Sequence, residues 1–156
     1  MGIEIDAASK SAVLKIKNLD KLTKAGVQFA SYTSANGLVK ATSAEILRKP
    51  KGGKTYIRRD KAGRRRRHVA SAAGETHANM TGRLRRSLSF KVNPTQIEFG
   101  YGVTKNDAPK YAAFVENGTS KMGARPSLLN GIKSQRRNFQ NNYEREIGKR
   151  LGTKLV

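Results

Sequence analysis

From Leu88 to Val103 apolar and polar positions alternate. Leu88, Phe90 and Val92 are interleaved with Ser89 and Lys91; Ile97, Phe99, Tyr101 and Val103 are interleaved with Glu98, Gly100 and Gly102. A period of two puts each set on one side of a strand. The segment therefore predicts an antiparallel hairpin turning at Asn93-Pro94-Thr95, with one apolar face that needs a helix over it. Upstream the period changes. From about Ser11 to Lys49 there is no proline, and Leu14, Leu22, Ala25, Phe29, Tyr32, Val39 and Ile46 recur at mixed three- and four-residue steps. That predicts a long helix able to supply the cover. Asn18, Gly26 and the Asn36-Gly37 pair are poor helix residues and admit a break or kink near either glycine.

A short strand, at an edge, is expected where Ile3 and Ile5 alternate with Glu4 and Asp6. After Pro126, Leu128, Leu129, Ile132, Phe139, Tyr143, Ile147 and Leu151 fall on one helical stripe, with Ser127 as a candidate N-cap and Gly152 as a candidate stop. The sum is an α+β chain: a small antiparallel sheet packed against a long N-terminal helix and a C-terminal helix. A basic extended arm is inserted at about residues 50–70 of a single domain spanning 1–156.

Composition adjusts this picture in two ways. Apolar residues make up 37% of the 156 residues, aromatics 6%, and there is no Trp. A good deal of the chain must then lie outside a compact core or be buried only on assembly, which suits a subunit better than a free enzyme. The net charge of +21 implies a polyanionic neighbour, and its distribution is uneven. Between Arg48 and Arg67 there are eleven Lys or Arg and one acid, Asp60, against six basic residues in 1–47. Within this run Lys54–Arg59 and Arg64–Val69, separated by Asp60-Lys61-Ala62-Gly63, either pair as an extended hairpin with Gly63 left-handed or form an unstructured basic loop. Arg58, Arg59, Arg64, Arg65, Arg66 and Arg67 are the candidate contacts to an anionic partner, DNA or an acidic protein surface.

Catalysis finds little support in the residues. The absence of cysteine excludes disulfides, zinc-thiolate sites and cysteine nucleophiles, and fits a reducing cytosol. His68 and His77 are the only histidines; neither has carboxylates at metal-site spacing, and both are expected as solvent-exposed loop residues. Gly100-Tyr101-Gly102 is too short for a phosphate loop and reads as strand. No cofactor or metal is expected. No apolar run approaches the roughly 20 residues of a bilayer span, and MGIEID lacks the regions of a signal peptide, so no membrane partner is expected and a cytoplasmic product is.

Two ordered segments say more. The stretch Tyr111–Pro126 contains Tyr111, Ala112, Val115, Glu116, Gly118, Thr119, Lys121, Met122, Arg125 and Pro126 in an order that periodicity does not explain, and Thr81, Gly82 and Leu84 lead a TGRLRRSL segment upstream. Taken alone, the first stretch is a short helix with an apolar face of Tyr111, Phe114 and Val115, stopped at Asn117-Gly118. Together the two segments resemble the signatures of a phage neck and tail-completion family, typified by gene product ten of the lambdoid siphophage Hong Kong 97. The resemblance covers roughly Met80 to Leu129. Ser127 stands where that family usually has an aromatic, and Asn130-Gly131 where it has a Pro-Ala-like pair.

The resemblance implies a structural virion protein, not an enzyme, made in the host bacterial cytoplasm and incorporated in the virion. It implies assembly as a homo-oligomeric ring, hexameric ahead of dodecameric, between a head-closure or connector protein and a tail terminator or tail tube, around the channel that DNA traverses. On the residues themselves, with no second acid near it in sequence, Glu116 reads as structural, hydrogen-bonded to the Gly118-Thr119 turn or paired with Arg125. The rival reading is a basic nucleic-acid-binding module, although no helix-turn-helix, zinc finger or aromatic RNA-stacking motif accompanies the charge.

Overall fold

A computed structural model of the chain describes residues 7–48, 51–104 and 108–152. The expected strand at Ile3 and Ile5 lies outside the described residues. In order, the elements are α1 (Ala7–Leu47), β1 (Thr55–Arg59), β2 (Arg65–Val69), α2 (Arg83–Arg86), β3 (Leu88–Val92), β4 (Ile97–Tyr101), α3 (Ala112–Asn117) and α4 (Ser127–Leu151). Two small antiparallel sheets accompany the two long helices, so the α+β class holds. The chain divides into two compact units, one of Met1–Ser34 with Arg137–Val156 and one of Ala35–Arg136.

Helix α1 runs unbroken through Gly26 and Gly37, so the break admitted by those glycines does not occur. Its buried side is also not the one apolarity marks. Leu14, Leu22, Phe29 and Tyr32 are 60%, 42%, 51% and 58% exposed, and of the expected stripe only Ile46 is fully buried. The positions that disappear are Gly26, Ala30, Ser34, Leu38, Thr42 and Ile46, a four-residue ridge made largely of small side chains, joined by Ser31 and Ala35. Small residues on such a ridge let two helix backbones approach closely.

In the first unit α4 is the neighbour. A methyl group on Gly26 would lie 3.4 Å from the Cα of Ile147. The Ser31 and Tyr143 hydroxyls are 2.6 Å apart, Asn142 Nδ2 donates to Ser34 Oγ at 3.1 Å, and the Arg150 guanidinium stands 5.3 Å from the centre of the Phe29 ring. Glu146, buried on α4, gathers Arg145, Lys149 and Arg150 at 3.0, 3.6 and 3.5 Å. Hydrogen bonding from Arg145, with the other two cations adding, holds its carboxyl below the usual range.

In the second unit α1 and α4 cross where Gly131 faces Thr42. A Cβ on Gly131 would fall inside van der Waals contact with the Thr42 hydroxyl and 3.0 Å from its Cβ. Asn130 Nδ2 reaches Gly74 O and Thr76 Oγ1, each at 3.4 Å. Asn130-Gly131, the departure from the family pattern, is thus where one residue stitches a loop and the next permits a helix crossing. The predicted hairpin is present as β3–β4, with Leu88 opposite Tyr101, Phe90 opposite Phe99 and Val92 opposite Ile97, so all six share one face. Leu88 is buried and the two phenylalanines are half-buried, a shallower placement than a fully enclosed aromatic core.

The basic run is a hairpin too. β1 and β2 pair in register from Thr55 opposite Val69 to Arg59 opposite Arg65, and Gly63 at the turn has φ 75°. Every residue of β1 and the first three of β2 are exposed.

Candidate functional site

The Tyr111–Pro126 signature folds into a tight return. α3 ends at Gly118, whose φ of 78° and ψ of −177° suit glycine, and a Cβ there would sit 2.7 Å from the Ala124 amide nitrogen and 2.8 Å from Met122 O. Thr119 and Met122 close the turn, exchanging N–H···O bonds of 2.8 and 3.2 Å, and Arg125 N then donates to Val115 O at 2.8 Å. The turn's amides are therefore already used: Gly118 N donates to Phe114 O at 2.9 Å. Glu116 has no donor to take from that turn.

Its carboxylate instead caps the incoming helix. Ser127 N and Leu128 N, at the start of α4, donate to Glu116 Oε2 and Oε1 at 2.7 and 2.5 Å. These are two of the amides that a helix N-terminus leaves without an internal partner, and a carboxylate there also meets the positive end of the helix dipole. Neither expected partner is the one found: Arg125 Nε donates to Ser71 O at 3.1 Å. Burial raises the Glu116 carboxyl above its usual range, with the two amide bonds pulling the other way.

Ser127, expected as the N-cap, is released from that duty by Glu116. Its hydroxyl is fully buried, receives the His77 backbone N–H at 3.1 Å and lies 2.7 Å from His77 Nδ1. Tyr101 OH is 3.5 Å from the same nitrogen, its ring edge-on to the imidazole at 6.2 Å. His77 is not the exposed loop residue expected from the sequence but 6% exposed. Burial, with Lys51 and Arg125 nearby, pulls its pKa down to about 4. Tyr101 is raised by burial and by the Glu116 charge. A serine hydroxyl against an imidazole is also the start of a nucleophilic arrangement. Here the hydroxyl is 0% exposed and donates to Arg125 O at 3.3 Å, so the pair joins three segments with its hydroxyl closed off from solvent. His68, the other histidine, is half-buried.

The two signature segments meet. Thr81, Gly82 and Leu84 from one, and Tyr111, Val115, Met122 and Arg125 from the other, line one cavity of about 730 Å³, with His77 and Met80 also on its wall. Thr81 Oγ1 accepts Arg83 N at 3.4 Å, Gly82 is left-handed at φ 74°, and Leu84 is buried. Glu116, Gly118, Thr119 and Pro126 do not line it; Glu116, Gly118 and Thr119 shape the turn and helix start behind it.

The six candidate arginines lie together on the basic hairpin. Asp60, the one acid, fixes its tip: Oδ1 accepts the Ala62 and Arg64 amides at 3.0 Å each, and Oδ2 accepts Arg64 Nε at 3.1 Å and Arg66 Nε at 3.3 Å. Those bonds, led by the Arg64 amide, hold its carboxyl low. Arg58, Arg66 and Arg67 also line a second cavity of about 800 Å³, together with Lys51, Arg48, Ile46, Val69 and Met80. Arg59, Arg64 and Arg65 do not. Among the described residues no group of three or more His, Asp or Glu is placed to hold a metal, and no helix is long and apolar enough to cross a membrane.

His77, Ser127 and Tyr101 were not legible as a group, because 50 residues separate His77 from Ser127 and neither belongs to a spaced motif. The only signal was position: Ser127 directly follows Arg125-Pro126, and His77 lies four residues before Thr81. Comparison with protein-family models, curated proteins and solved structures returns no match to this chain.

Proposed function

We propose that this chain is a structural virion protein of a tailed phage, a neck or tail-completion subunit that assembles as a ring joining the head connector to the tail. The observation that carries the reading is the convergence of the two family-like segments on one cavity, backed by a turn in which Gly118 and Glu116 fix the entry into α4. Their role in this reading is geometric: the return sets the direction of α4.

Exposed apolar surface adds support. Leu14, Ile16, Leu19, Phe29, Tyr32 and Phe114 are each more than half exposed, while the described core consists of a few small or medium side chains. Surface of this kind is expected to be covered on assembly.

The test is to purify the chain, measure its mass by light scattering alone and mixed with the connector and tail-tube proteins of a phage that carries it, and locate it in particles by immunoelectron microscopy. A ring-sized species and labelling at the head–tail junction are expected. A chain that stays monomeric with those partners yet forms stoichiometric, salt-sensitive complexes with nucleic acid would replace this reading with the basic-module one.

A further inference from the structure

We propose that the β1–β2 ribbon is a duplex-DNA contact that enters the major groove and places arginines against phosphates on both groove walls. This names the partner of the basic arm, and it stands whether or not the chain forms a ring.

The first observation is the distribution of charge over the ribbon. Directly opposed residues of an antiparallel pair share a face. Arg58 and Arg66 therefore lie on one face, and Arg59, Arg65 and Arg67 on the other, with Lys61 and Arg64 at the tip. An acidic protein surface would engage one face and leave the second in solvent. A groove walled by phosphates on two sides engages both.

Size agrees with this. Five residues at roughly 3.3 Å each make a ribbon about 17 Å long, with strands about 4.8 Å apart. The major groove of B-DNA, about 12 Å wide, admits a two-stranded ribbon. All of β1 and the outer part of β2 are exposed on both faces, with the Arg58 guanidinium also reaching Met80 Sδ at 2.9 Å beside the cavity it borders.

The second observation is that the ribbon is held stiff at both ends. At the tip, Asp60 ties together the Ala62 and Arg64 amides and the Arg64 and Arg66 side chains. At the root, Gly53 N donates to Ala70 O and Ala70 N to Lys54 O, both at 3.0 Å. The Glu75 carboxylate accepts Gly52 N at 3.2 and 3.0 Å and Ala72 N at 2.8 Å, clamping both legs. Gly53 has no room for a side chain, since a Cβ would lie 2.6 Å from Ala70 O. A charged loop that only aids solubility has no need of such bracing; a probe inserted in a groove loses less entropy when it is already ordered.

The experiment follows binding of a labelled duplex of about 20 base pairs by anisotropy across a salt series, with dimethyl sulfate protection of guanine N7, which faces the major groove. The full chain is compared with its Arg64→Ser/Arg65→Ser/Arg66→Ser/Arg67→Ser variant and with the milder Arg65→Ser/Arg67→Ser pair, each checked for folding by its melting temperature. The wild type is expected to protect N7. The quadruple variant should lose that protection and flatten the slope of log K against log salt by about 3 to 4, at roughly 0.9 for each phosphate no longer neutralised. The double variant should flatten it by about half as much. Unprotected N7, an unchanged slope, or competition by polyglutamate as effective as by unlabelled duplex would overturn the assignment, the last in favour of an acidic protein partner. Ring assembly without duplex binding would sink the ribbon proposal alone, whereas N7 protection by a chain that never assembles would sink the neck reading alone.

Discussion

The chain contains two antiparallel hairpins with five-residue strands, and they differ in almost every other respect. β3–β4 has an apolar face of six residues in register, leans on the buried His77–Ser127 junction through Tyr101, and is followed by a tightly enclosed glycine. β1–β2 has arginine on both faces and is held by polar bonds at its tip and root. Strand pairing alone therefore does not define a core element. What separates the two is whether one face carries apolar side chains, because only that face gains free energy by leaving water.

The sharpest test uses two glycines in the same backbone region. Gly102 and Gly63 have φ of 72° and 75°, but a Cβ on Gly102 would sit 2.6 Å from the Ala108 amide nitrogen, whereas nothing lies within 4 Å of one on Gly63. Gly63→Ala should cost about 1 kcal/mol of left-handed strain, and Gly102→Ala about 3 kcal/mol because overpacking is added. Equal shifts in urea midpoint would erase the distinction between the two hairpins at this point.

Mild acid should act on the apolar hairpin's support before the ribbon, whose Asp60 and Glu75 carboxyls are held low by the amides they accept and give up their braces only in stronger acid. The folded-state pKa of His77 lies below its unfolded value of 6.5, so the unfolded chain binds the proton more readily. Its contribution is complete above pH 6.5 and is lost as pH falls toward about 4, a change of roughly 2 to 3 kcal/mol. Glu116, raised by burial, has the opposite sign, contributing below its unfolded pKa and losing that as pH rises through the folded one. Between pH 6.5 and 5 thermal melts of the wild type should fall, and His77→Asn should flatten that limb. A limb that survives the substitution would assign the acid sensitivity elsewhere.

Smaller effects follow on the faces themselves. Phe90→Ala and Phe99→Ala should each cost about 2 kcal/mol, below the value for a fully buried aromatic because both rings are half-buried. Ile57→Ala on the ribbon, where the side chain is 62% exposed, should change chemical denaturation by less than about 0.5 kcal/mol. Smallest of all, replacing Arg64 to Arg67 with Ser should move the melting temperature by no more than about 2 °C, since exposed charges contribute little to folding and like charges repel. A ribbon variant that unfolds would show that the charged hairpin is packed after all.

Local pattern was enough for much of this. Alternation from Leu88 to Tyr101 determined the hairpin and its apolar face, with Val103 left beyond the strand end by left-handed Gly102; the absence of proline determined the long first helix; the stripe after Pro126 determined the last helix but not its buried side, since Leu129 and Ile132 are 48% and 47% exposed and Gly131, Glu146 and Gly148 are buried. Glycine determined the ends at Gly118 and Gly152, left-handed at φ 78° and 67°, because a residue without a Cβ is the least strained there. The density of charge marked the arm. What the residues in order did not determine was the side of α1 that is buried. Hydrophobicity pointed to Leu14, Phe29 and Tyr32, but close helix packing selected Gly26, Ala30, Ser34 and Thr42, because backbone approach is limited by side-chain bulk and not by polarity. Nor did it determine the partners of Glu116, His77 and Ser127. Each satisfies a polar group brought near it by residues 11 to 50 positions away, and a hydrogen bond across such separations exists only once the chain between has folded.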